Sequence, residues 1–234
     1  MKIKANALEI FVYKDTVSIK NSRGIDKTQV KYRAMVEAIP TFNGEESVEL
    51  YEQYNFTEFD AEAVVDEIAT KMREVKDRYE AKVPESKLAC PVVLDASELG
   101  RLIGNFVGNL NFSSVYQHAN AFNLGDDIQK DAKGDRISVT MCGEIKGSVN
   151  SSAFDDDGVT LVDRQIIKDG QAFALWGGTR FAQYLGESAT GYLGCMKVEG
   201  GTLTEEEKTS KPYFRCASMS GLQVDIYNDY IGGE

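Results

Sequence analysis

A run of three aspartates at residues 155–157 is the first group of side chains that could do chemistry. An EF-hand calcium loop needs acids at its first, third and fifth positions, Gly at the sixth and Glu at the twelfth. With Gly158 at the sixth position, the first is Ala153 and the twelfth is Arg164, so the EF-hand pattern fails. The run predicts a tight acidic turn before a strand, and a local contact with a cation or substrate stays open as the alternative.

The chain has a single histidine, His118, and four cysteines. One histidine excludes a zinc site built from several histidines. It allows one nucleophilic pair, with Ser113, Ser114 or a cysteine, although no nucleophile-elbow motif is present. The cysteines are Cys90, Cys142, Cys195 and Cys216. They lack CxxC spacing, so we expect four buried free thiols and no cofactor held by them.

The charge balance limits the classes of partner. Of 234 residues, 26 are Lys or Arg and 37 are Asp or Glu, which gives a formal net charge of −11. Nucleic-acid binding needs basic residues to replace condensed counterions, and no basic cluster is present, so we expect no nucleic-acid partner. The sequence also lacks the ~18 consecutive apolar residues of a membrane span and the pattern of a signal peptide, which predicts a cytoplasmic protein without membrane contact.

The first third of the chain is predicted to be mostly strand. Apolar and polar residues alternate over residues 7–58, which is typical of an antiparallel meander with one face in water. A turn is expected at residues 21–24, where Gly supplies a positive φ. The following strand is predicted to end at Pro40, and a further strand to run through Val48 and Leu50 to about Tyr54.

An apolar stripe at helical spacing predicts one long amphipathic helix over residues 60–81, with Asp60 as its N-cap. A linker at residues 84–87 follows. The chain is therefore divided into residues 1–85, as part of an N-terminal α+β region, and residues 86–234, as a strand-rich C-terminal region.

The C-terminal region is predicted to start with a short buried strand at residues 89–94 and a helix at 97–109. Gly100, Gly104 and Gly108 lie four apart on that helix, and since glycine destabilises a helix, we expect another backbone to pack closely there. The other predicted elements are strands at 137–145, 159–167, 171–176, 192–199 and 213–228 and a short helix at 180–185. The fold class is α+β, with antiparallel strand-rich sheets, one long helix and several short helices.

Several short stretches, in order along nearly the whole chain, resemble the motifs of one family. They are residues 21–24 (NS-x-G), 102–108 with 114–116, 154–170 (FDxEG…R…IxxG), 181–191 (A…LG…TG) and 220–225. On these motifs the chain is identified as a member of the TldD/PmbA family, once called modulators of DNA gyrase and now regarded as peptidases. The resemblance implies a structural or peptide-binding role for ten residues of these motifs. They are Asn21, Gly24, Tyr116, Asp155, Asp157, Gly158, Arg164, Gly170, Thr190 and Gly191.

The resemblance implies a protein that works as a pair of related subunits. The TldD type carries HExxxH on a helix and binds zinc, with a Cys near its C-terminus as a further ligand, whereas the PmbA (TldE) type lacks the motif. In this chain Gly104, Asn105 and Asn109 take the places of the His, the Glu and the second His. Because neither Gly nor Asn is a usual zinc ligand, the resemblance implies the PmbA type, with no zinc and no other cofactor of its own.

The family pattern extends past this chain at both ends, so we interpret the chain as shortened at both ends. An incomplete domain exposes strand edges that can pair with another chain, which predicts a dimer or higher oligomer. We expect a non-catalytic relative that pairs with a zinc-bearing TldD-type subunit or with itself and binds unfolded peptide along a sheet edge. Two alternatives stay open: an independent hydrolase that uses His118 or the acids at 155–157, and a purely structural assembly module.

Overall fold

A computed structural model describes residues 2–219, 221–228 and 230–233. The chain is an α+β protein made of two units, Met1–Leu88 with Lys146–Val149, and Ala89–Ile145 with Asn150–Glu234. None of the helices in the described ranges is long and apolar enough to cross a membrane.

The sheet of the first unit is built on a long antiparallel hairpin. Strand β1 covers Ile3–Lys20 and pairs along its length with β2, Asp26–Asn43. The turn between them follows the prediction, because the Asn21 side chain accepts hydrogen bonds from the backbone N–H groups of Arg23 and Ile25, at 2.9 and 3.2 Å. Such a side chain to backbone bond over two residues is an Asx turn.

Two shorter strands pair with the other edge of β2. They are β3, Ser47–Glu49, and β4, Glu52–Phe56. The single strand predicted through Val48 is therefore two strands, each of which pairs with a different part of β2.

The prediction that the second strand ends at Pro40 is wrong, since β2 continues to Asn43. Pro40 has no backbone N–H to donate, but it pairs with Ala5 at the point where the register of β1 shifts between Ala5 and Leu8. A strand tolerates proline at such an irregularity because the missing donor is not needed there.

The long helix, α1, covers Ala61–Glu80, and the Asp60 side chain caps it by accepting from the N–H groups of the first turn. Its apolar stripe faces β2, where Val36 and Ala38 are buried. The rings of Tyr79 and Phe42 lie 4.5 Å apart, which places the end of α1 on the same face of the sheet. Burial of this stripe holds the helix to the sheet.

The second unit contains the remaining elements. In chain order they are β5 Val92–Leu94, α2 Ala96–Asn109, α3 Phe112–Tyr116, β6 Ser138–Cys142, β7 Arg164–Lys168, β8 Gln171–Ala172, α4 Thr179–Leu185, β9 Cys195–Glu199, α5 Glu205–Lys208, β10 Phe214–Cys216, β11 Gln223–Asp225 and β12 Tyr230–Gly232. The main sheet is antiparallel and has the order β8-β7-β6-β9. The predicted hairpin is present but shorter than expected, and Asp169 and Gly170 form its turn with φ values of 47° and 73°.

Helix α2 closes one face of this sheet. Its buried residues Ile103 and Val107 pack with Leu110 into the main apolar core. The strands contribute the buried residues Val139, Met141, Ile166, Ile167 and Ala172, and the loop before β9 contributes Leu193. This core holds α2 on the sheet, so it fixes the point from which the chain after α2 continues.

Two local expectations for this unit are corrected. No other backbone packs against Gly104 and Gly108. If either glycine carried a Cβ, no heavy atom of a neighbouring element among the described residues would lie within 4 Å of it. Helix α2 packs through Ile103 and Val107 instead, which leaves the glycines on another face. Strand β5 is not buried, since Val92 is 58% exposed. Among the described strands it pairs only with β10, in a two-stranded parallel sheet.

Of the four cysteines, Cys142 and Cys195 are buried free thiols. Cys90 and Cys216 are free but only half-buried, so the expectation of four buried thiols holds for two of them. Both half-buried cysteines lie in or next to the small β5–β10 sheet, which has too few strands to enclose them.

The packing of α1 predicts that Val75→Ala destabilises the first unit by about 2 kcal/mol, because it removes fully buried apolar atoms and leaves a cavity. Lys76→Ala is the matched control, since Lys76 is exposed and its ion pair with Glu80 is on the surface. Urea unfolding followed by circular dichroism measures both variants. Equal midpoints for the two would contradict the assigned core position of Val75.

Candidate functional site

The positions that the resemblance aligns with a zinc motif lie on α2. Gly104 and Asn105 are exposed and Asn109 is half-buried. The Asn105 amide donates to the Arg101 carbonyl at 2.9 Å, and the Asn109 amide donates to the Asn105 carbonyl at 3.0 Å. The Asn109 side-chain oxygen also accepts from the backbone N–H of Ala121 at 2.7 Å. Both asparagines are therefore committed to local hydrogen bonds that tie α2 to its own turns and to the loop after α3.

These residues do not fit a zinc ion. Zinc in proteins takes Cys sulfur, His nitrogen or carboxylate oxygen, and Gly104 offers no side chain at all. The oxygen of Asn109 is occupied by a backbone donor. Among the described residues, no group of three or more His, Cys, Asp or Glu side chains is placed to hold a metal ion.

The C-terminal end of α2 is joined to the sheet through Trp176. Its indole N–H donates to the Val107 carbonyl at 3.0 Å, and its backbone N–H donates to the Leu110 carbonyl at 3.2 Å. In return, Phe112 donates its backbone N–H to the Trp176 carbonyl at 2.8 Å. The Val107 carbonyl also accepts from the Leu110 N–H at 3.1 Å, so the indole adds a second donor there, while the Trp176 N–H gives a partner to the Leu110 carbonyl, which lies past the end of the helix.

Asn111 and Thr190 fasten the next layer of loops. Asn111 is buried and caps α3, because its side-chain oxygen accepts from the backbone N–H and the hydroxyl of Ser113 at 2.9 and 2.8 Å. Thr190 is buried and accepts from the backbone N–H of Gly177 at 3.0 Å. A Cβ on Gly177 would stand 3.1 Å from the Asn111 amide, at a φ of 140°, so glycine is required where the two loops meet.

The aspartate run forms a structural turn, and the hydrogen bonds that hold the turn are made by Asp155. Asp155 is buried, and one carboxylate oxygen accepts from the backbone N–H groups of Asp157 and Val159 at 3.0 and 2.9 Å. The other oxygen accepts from the backbone N–H of Tyr192 at 3.2 Å. A Cβ on Gly191 would stand 3.2 Å from this carboxylate, so the two loops approach closely. The Asp156 and Asp157 side chains are exposed.

The structure therefore brings some of the candidate residues together and leaves others apart. Asp155, Gly158, Thr190 and Gly191 belong to the loop network that supports α2. Arg164 begins β7, and Gly170 forms the β7–β8 turn. Asn21 and Gly24 belong to the turn in the first unit. Of the predicted motif at residues 220–225, Ser220 lies outside the described residues.

His118 follows α3 and has an exposed side chain, with a φ of 55°. The two serines considered as its partners are used elsewhere. The Ser113 hydroxyl donates to Asn111, and the Ser114 hydroxyl donates to the Gly108 carbonyl at 2.9 Å. Neither bond directs a serine toward an imidazole, so the described side chains contain no nucleophile bonded to His118.

An exposed aromatic cluster lies on α3 and α4. The ring of Tyr116 is 5.6 Å from that of Phe181 and 5.0 Å from that of Tyr184. The Arg180 guanidinium lies 5.4 Å from the Phe181 ring. Tyr116 and Tyr184 are 44% and 54% exposed. The sequence pointed to Tyr116, and the other three residues share one face of α4 at helical spacing, which is the signal that could have found them.

One buried thiol is electrostatically unusual. Burial, and after it the nearby Asp163 carboxylate, which hydrogen-bonds the thiol and repels the thiolate, together raise the pKa of Cys142 to about 11. Asp163 also accepts from the backbone N–H of Gly143 at 3.0 Å. The thiolate is the nucleophilic form, so Cys142 is an inert structural thiol near neutral pH.

The part of the chain that contains this geometry matches a known protein family. Residues 87–212, more than half of the chain, match the model of the PmbA/TldA metallopeptidase C-terminal domain. No curated protein matches the chain significantly.

The fold is similar to that of three solved structures. A protein described as a modulator of a DNA gyrase from Thermotoga maritima MSB8 is 18% identical, with a TM-score of 0.65, and the match covers 86% of this chain and 47% of that one. TldE from Thermococcus kodakarensis is 15% identical, with a TM-score of 0.60 and coverages of 79% and 45%. A protein described as a modulator of DNA gyrase from Bacteroides thetaiotaomicron VPI-5482 is 17% identical, with a TM-score of 0.65 and coverages of 86% and 47%. This chain spans about half the length of each, and at these identities the likeness shows the fold alone.

The loop network predicts that Asp155→Ala lowers the free energy of unfolding by about 2–3 kcal/mol, because several backbone N–H groups lose their acceptor. Asp156→Ala is the matched control and is expected to stay within about 0.5 kcal/mol of the wild type, since its side chain is exposed. Chemical denaturation measures both. A result in which Asp156→Ala is the more damaging variant would show that the turn has been assigned to the wrong aspartate.

The raised pKa of Cys142 predicts a pH dependence of stability. A thiol whose pKa is raised on folding contributes its full stabilisation below the pKa of the unfolded thiol and loses it as the pH rises through about 11. The free energy of unfolding of the wild type is therefore expected to fall more steeply between about pH 9 and pH 11 than that of Cys142→Ala. Cys90→Ala serves as control and is expected to follow the wild type, whereas parallel curves for wild type and Cys142→Ala would refute the assignment.

Proposed function

This chain belongs to the PmbA/TldD family, and we propose that it is a non-catalytic relative of the PmbA (TldE) type. In this proposal it assembles with a zinc-bearing TldD-type subunit or with a second copy of itself, and it contributes a surface that binds unfolded peptide. The reaction, in this proposal, takes place on the partner's zinc, and this chain positions the peptide.

The state of α2 is the observation that carries the proposal. At the three positions that the resemblance aligns with HExxxH, the chain has a glycine and two asparagines whose amides are bonded to neighbouring backbone. A catalytic helix would present free imidazole and carboxylate groups to a metal and to water. Here Asn109 fixes the loop at Ala121 and Asn105 bonds to the preceding turn of its own helix, so these positions cannot supply that chemistry.

Peptide binding is supported by two features of the second unit. Strand β9 pairs with β6 on one side, and among the described strands none pairs with its other side. An extended peptide can add to such an edge by backbone hydrogen bonds, which recognise the chain irrespective of sequence. The exposed aromatic cluster with Arg180 offers a surface of the composition that is enriched in protein recognition sites.

The charge of the chain supports a polypeptide rather than a nucleic acid as the ligand. A net charge of −11 repels phosphates and attracts basic segments of an unfolded chain. This attraction is long-ranged and is screened by salt, so it affects association rates more than the strength of the final contacts.

The proposal predicts that the purified chain binds a fluorescein-labelled, structureless basic peptide and that Tyr184→Ala weakens the affinity about fivefold to tenfold, since an exposed aromatic anchor is lost. Tyr213→Ala is the matched control, because Tyr213 is a similarly exposed tyrosine outside the aromatic cluster. Fluorescence anisotropy measures the affinities. In parallel, a tagged TldD-type subunit is expected to retain the chain on an affinity column.

Two results would count against the proposal. If the peptide does not bind and no TldD-type subunit is retained, the chain is better described as a purely structural module. If the purified chain alone cleaves the peptide, and His118→Ala abolishes the cleavage, the hydrolase alternative replaces it.

A further inference from the structure

A small cavity lies in the second unit between α2, the loop after α3 and the hairpin formed by β11 and β12. Its volume is about 330 Å³, which is at the lower end of the range of ~300–1,000 Å³ for ligand pockets. Six apolar residues line it, three from α2 and the loop and three from the hairpin: Phe106, Phe122, Ile128, Val224, Ile226 and Ile231. The walls are therefore mainly apolar, as is usual for a binding pocket.

A pair of stacked rings forms the wall on the α2 side. The ring centroids of Phe106 and Phe122 are 6.0 Å apart, and the ring planes differ by 22°. Phe122 follows Ala121, whose backbone N–H donates to the Asn109 side chain at 2.7 Å. Asn109, which takes the place of the second His of the zinc motif, thus fixes the loop that supplies this wall.

The hairpin on the other side is held by two hydrogen bonds to the body of the unit. The Arg101 guanidinium donates to the Met219 carbonyl at 2.6 Å, and the Tyr227 hydroxyl donates to the Ala119 carbonyl. Ile231, which lines the cavity from the hairpin, is 58% exposed. The cavity therefore borders solvent along the hairpin, where a ligand can reach it.

Of the described residues that line the cavity, Asp225 alone is charged. Its carboxylate accepts from the Asn228 amide at 2.7 Å and from the backbone N–H groups of Tyr227 and Asn228 at 3.0 and 3.2 Å. The bonds from Asn228 and Tyr227 lower the pKa of Asp225, and no Lys or Arg in the described part of the chain is ion-paired with it. An ionised carboxylate has about four acceptor sites, so one site and the full negative charge stay available to a cation.

We propose that this cavity binds an apolar side chain of an unfolded peptide, aliphatic or aromatic, that has a basic residue beside it in the peptide. The apolar walls remove the side chain from water, and the Asp225 carboxylate attracts the neighbouring positive charge. The net charge of −11 adds a longer-ranged attraction for the same basic peptides.

The inference rests on the proposed function, because the ligand is an unfolded peptide, and it adds the class of peptide that is preferred. It also adds a site, since neither the aromatic cluster on α3 and α4 nor the edge of β9 lines the cavity. The site selects by side chain, whereas pairing along a strand edge recognises backbone irrespective of sequence.

Three fluorescein-labelled Gly/Ser peptides, each with one variable two-residue step, test the preference by fluorescence anisotropy. The steps are Phe-Lys, Ser-Lys and Phe-Gln. We expect the wild type to bind the Phe-Lys peptide about tenfold more tightly than the Ser-Lys peptide, because the ring is buried. We expect about a threefold preference over the Phe-Gln peptide, because an exposed ion pair contributes little.

Two substitutions assign these preferences to the cavity. Ile231→Ser is expected to reduce the preference for Phe over Ser about threefold to fivefold, since apolar wall is lost. Asp225→Asn is expected to remove the preference for Lys over Gln and to leave the preference for Phe. The matched controls are Val162→Ser, at a 63% exposed aliphatic residue outside the cavity, and Glu206→Gln, at an exposed carboxylate on α5. Both are expected to keep each preference within about twofold.

Thermal unfolding establishes that the variants are folded, and the comparison of peptides on the wild type needs no substitution. Equal affinities of the wild type for the Phe-Lys and Ser-Lys peptides would overturn the inference and leave the proposed function in place. A preference for Phe that is unchanged in Ile231→Ser would also overturn the inference, since the apolar site would then lie elsewhere.

The two proposals fail in different ways. If the expected preferences are found but neither a TldD-type subunit nor a second copy associates with the chain, the proposed function is rejected and the inference stands. If none of the three peptides binds, both are rejected.

Discussion

The second unit depends on how the C-terminal end of α2 is held by Trp176. The indole N–H and the backbone N–H of this one residue both donate to carbonyls at the end of the helix, Val107 and Leu110. The Val107 carbonyl also accepts from the Leu110 N–H at 3.1 Å, so the indole adds a second donor there, whereas the Leu110 carbonyl lies past the end of the helix and would be costly to bury unpaired. Because the next residue is Gly177, the loop can approach Asn111 and receive Thr190. The candidate site is thus a packed set of loops fixed by backbone hydrogen bonds.

Elements defined by local periodicity could be predicted from the sequence. The helix expected at residues 60–81 is α1, Ala61–Glu80, because its cap and its apolar stripe are both local signals. The turn at Gly170 is equally local, since a two-residue turn with positive φ values has few alternatives. Pro40 was misjudged because its tolerance depends on a register shift in β1, which pairs with it from 35 residues away. A single sequence does not show where such a shift falls.

The site could be predicted only in part, for the same reason. Asp155 was found as a member of an acidic turn, and that turn is real. Its bond to Tyr192 joins residues 37 positions apart, and no spacing rule would find it. Asn111 and Trp176 were missed because each acts through backbone partners and belongs to no motif of reactive side chains. The glycines of α2 were misread, since their spacing resembles a packing stripe while the helix packs through Ile103 and Val107.

These features give one account of the chain, in which a family scaffold is kept and the ligands of a metal are replaced by residues that stabilise loops. The most direct measurement is the zinc content of the purified chain, by mass spectrometry after dialysis against metal-free buffer, alone and in complex with a TldD-type subunit. The account predicts far less than one zinc per chain when alone, and zinc that follows the TldD-type subunit in the complex. One zinc per chain in the isolated protein, lost in Asn105→Ala or Asn109→Ala, would contradict it.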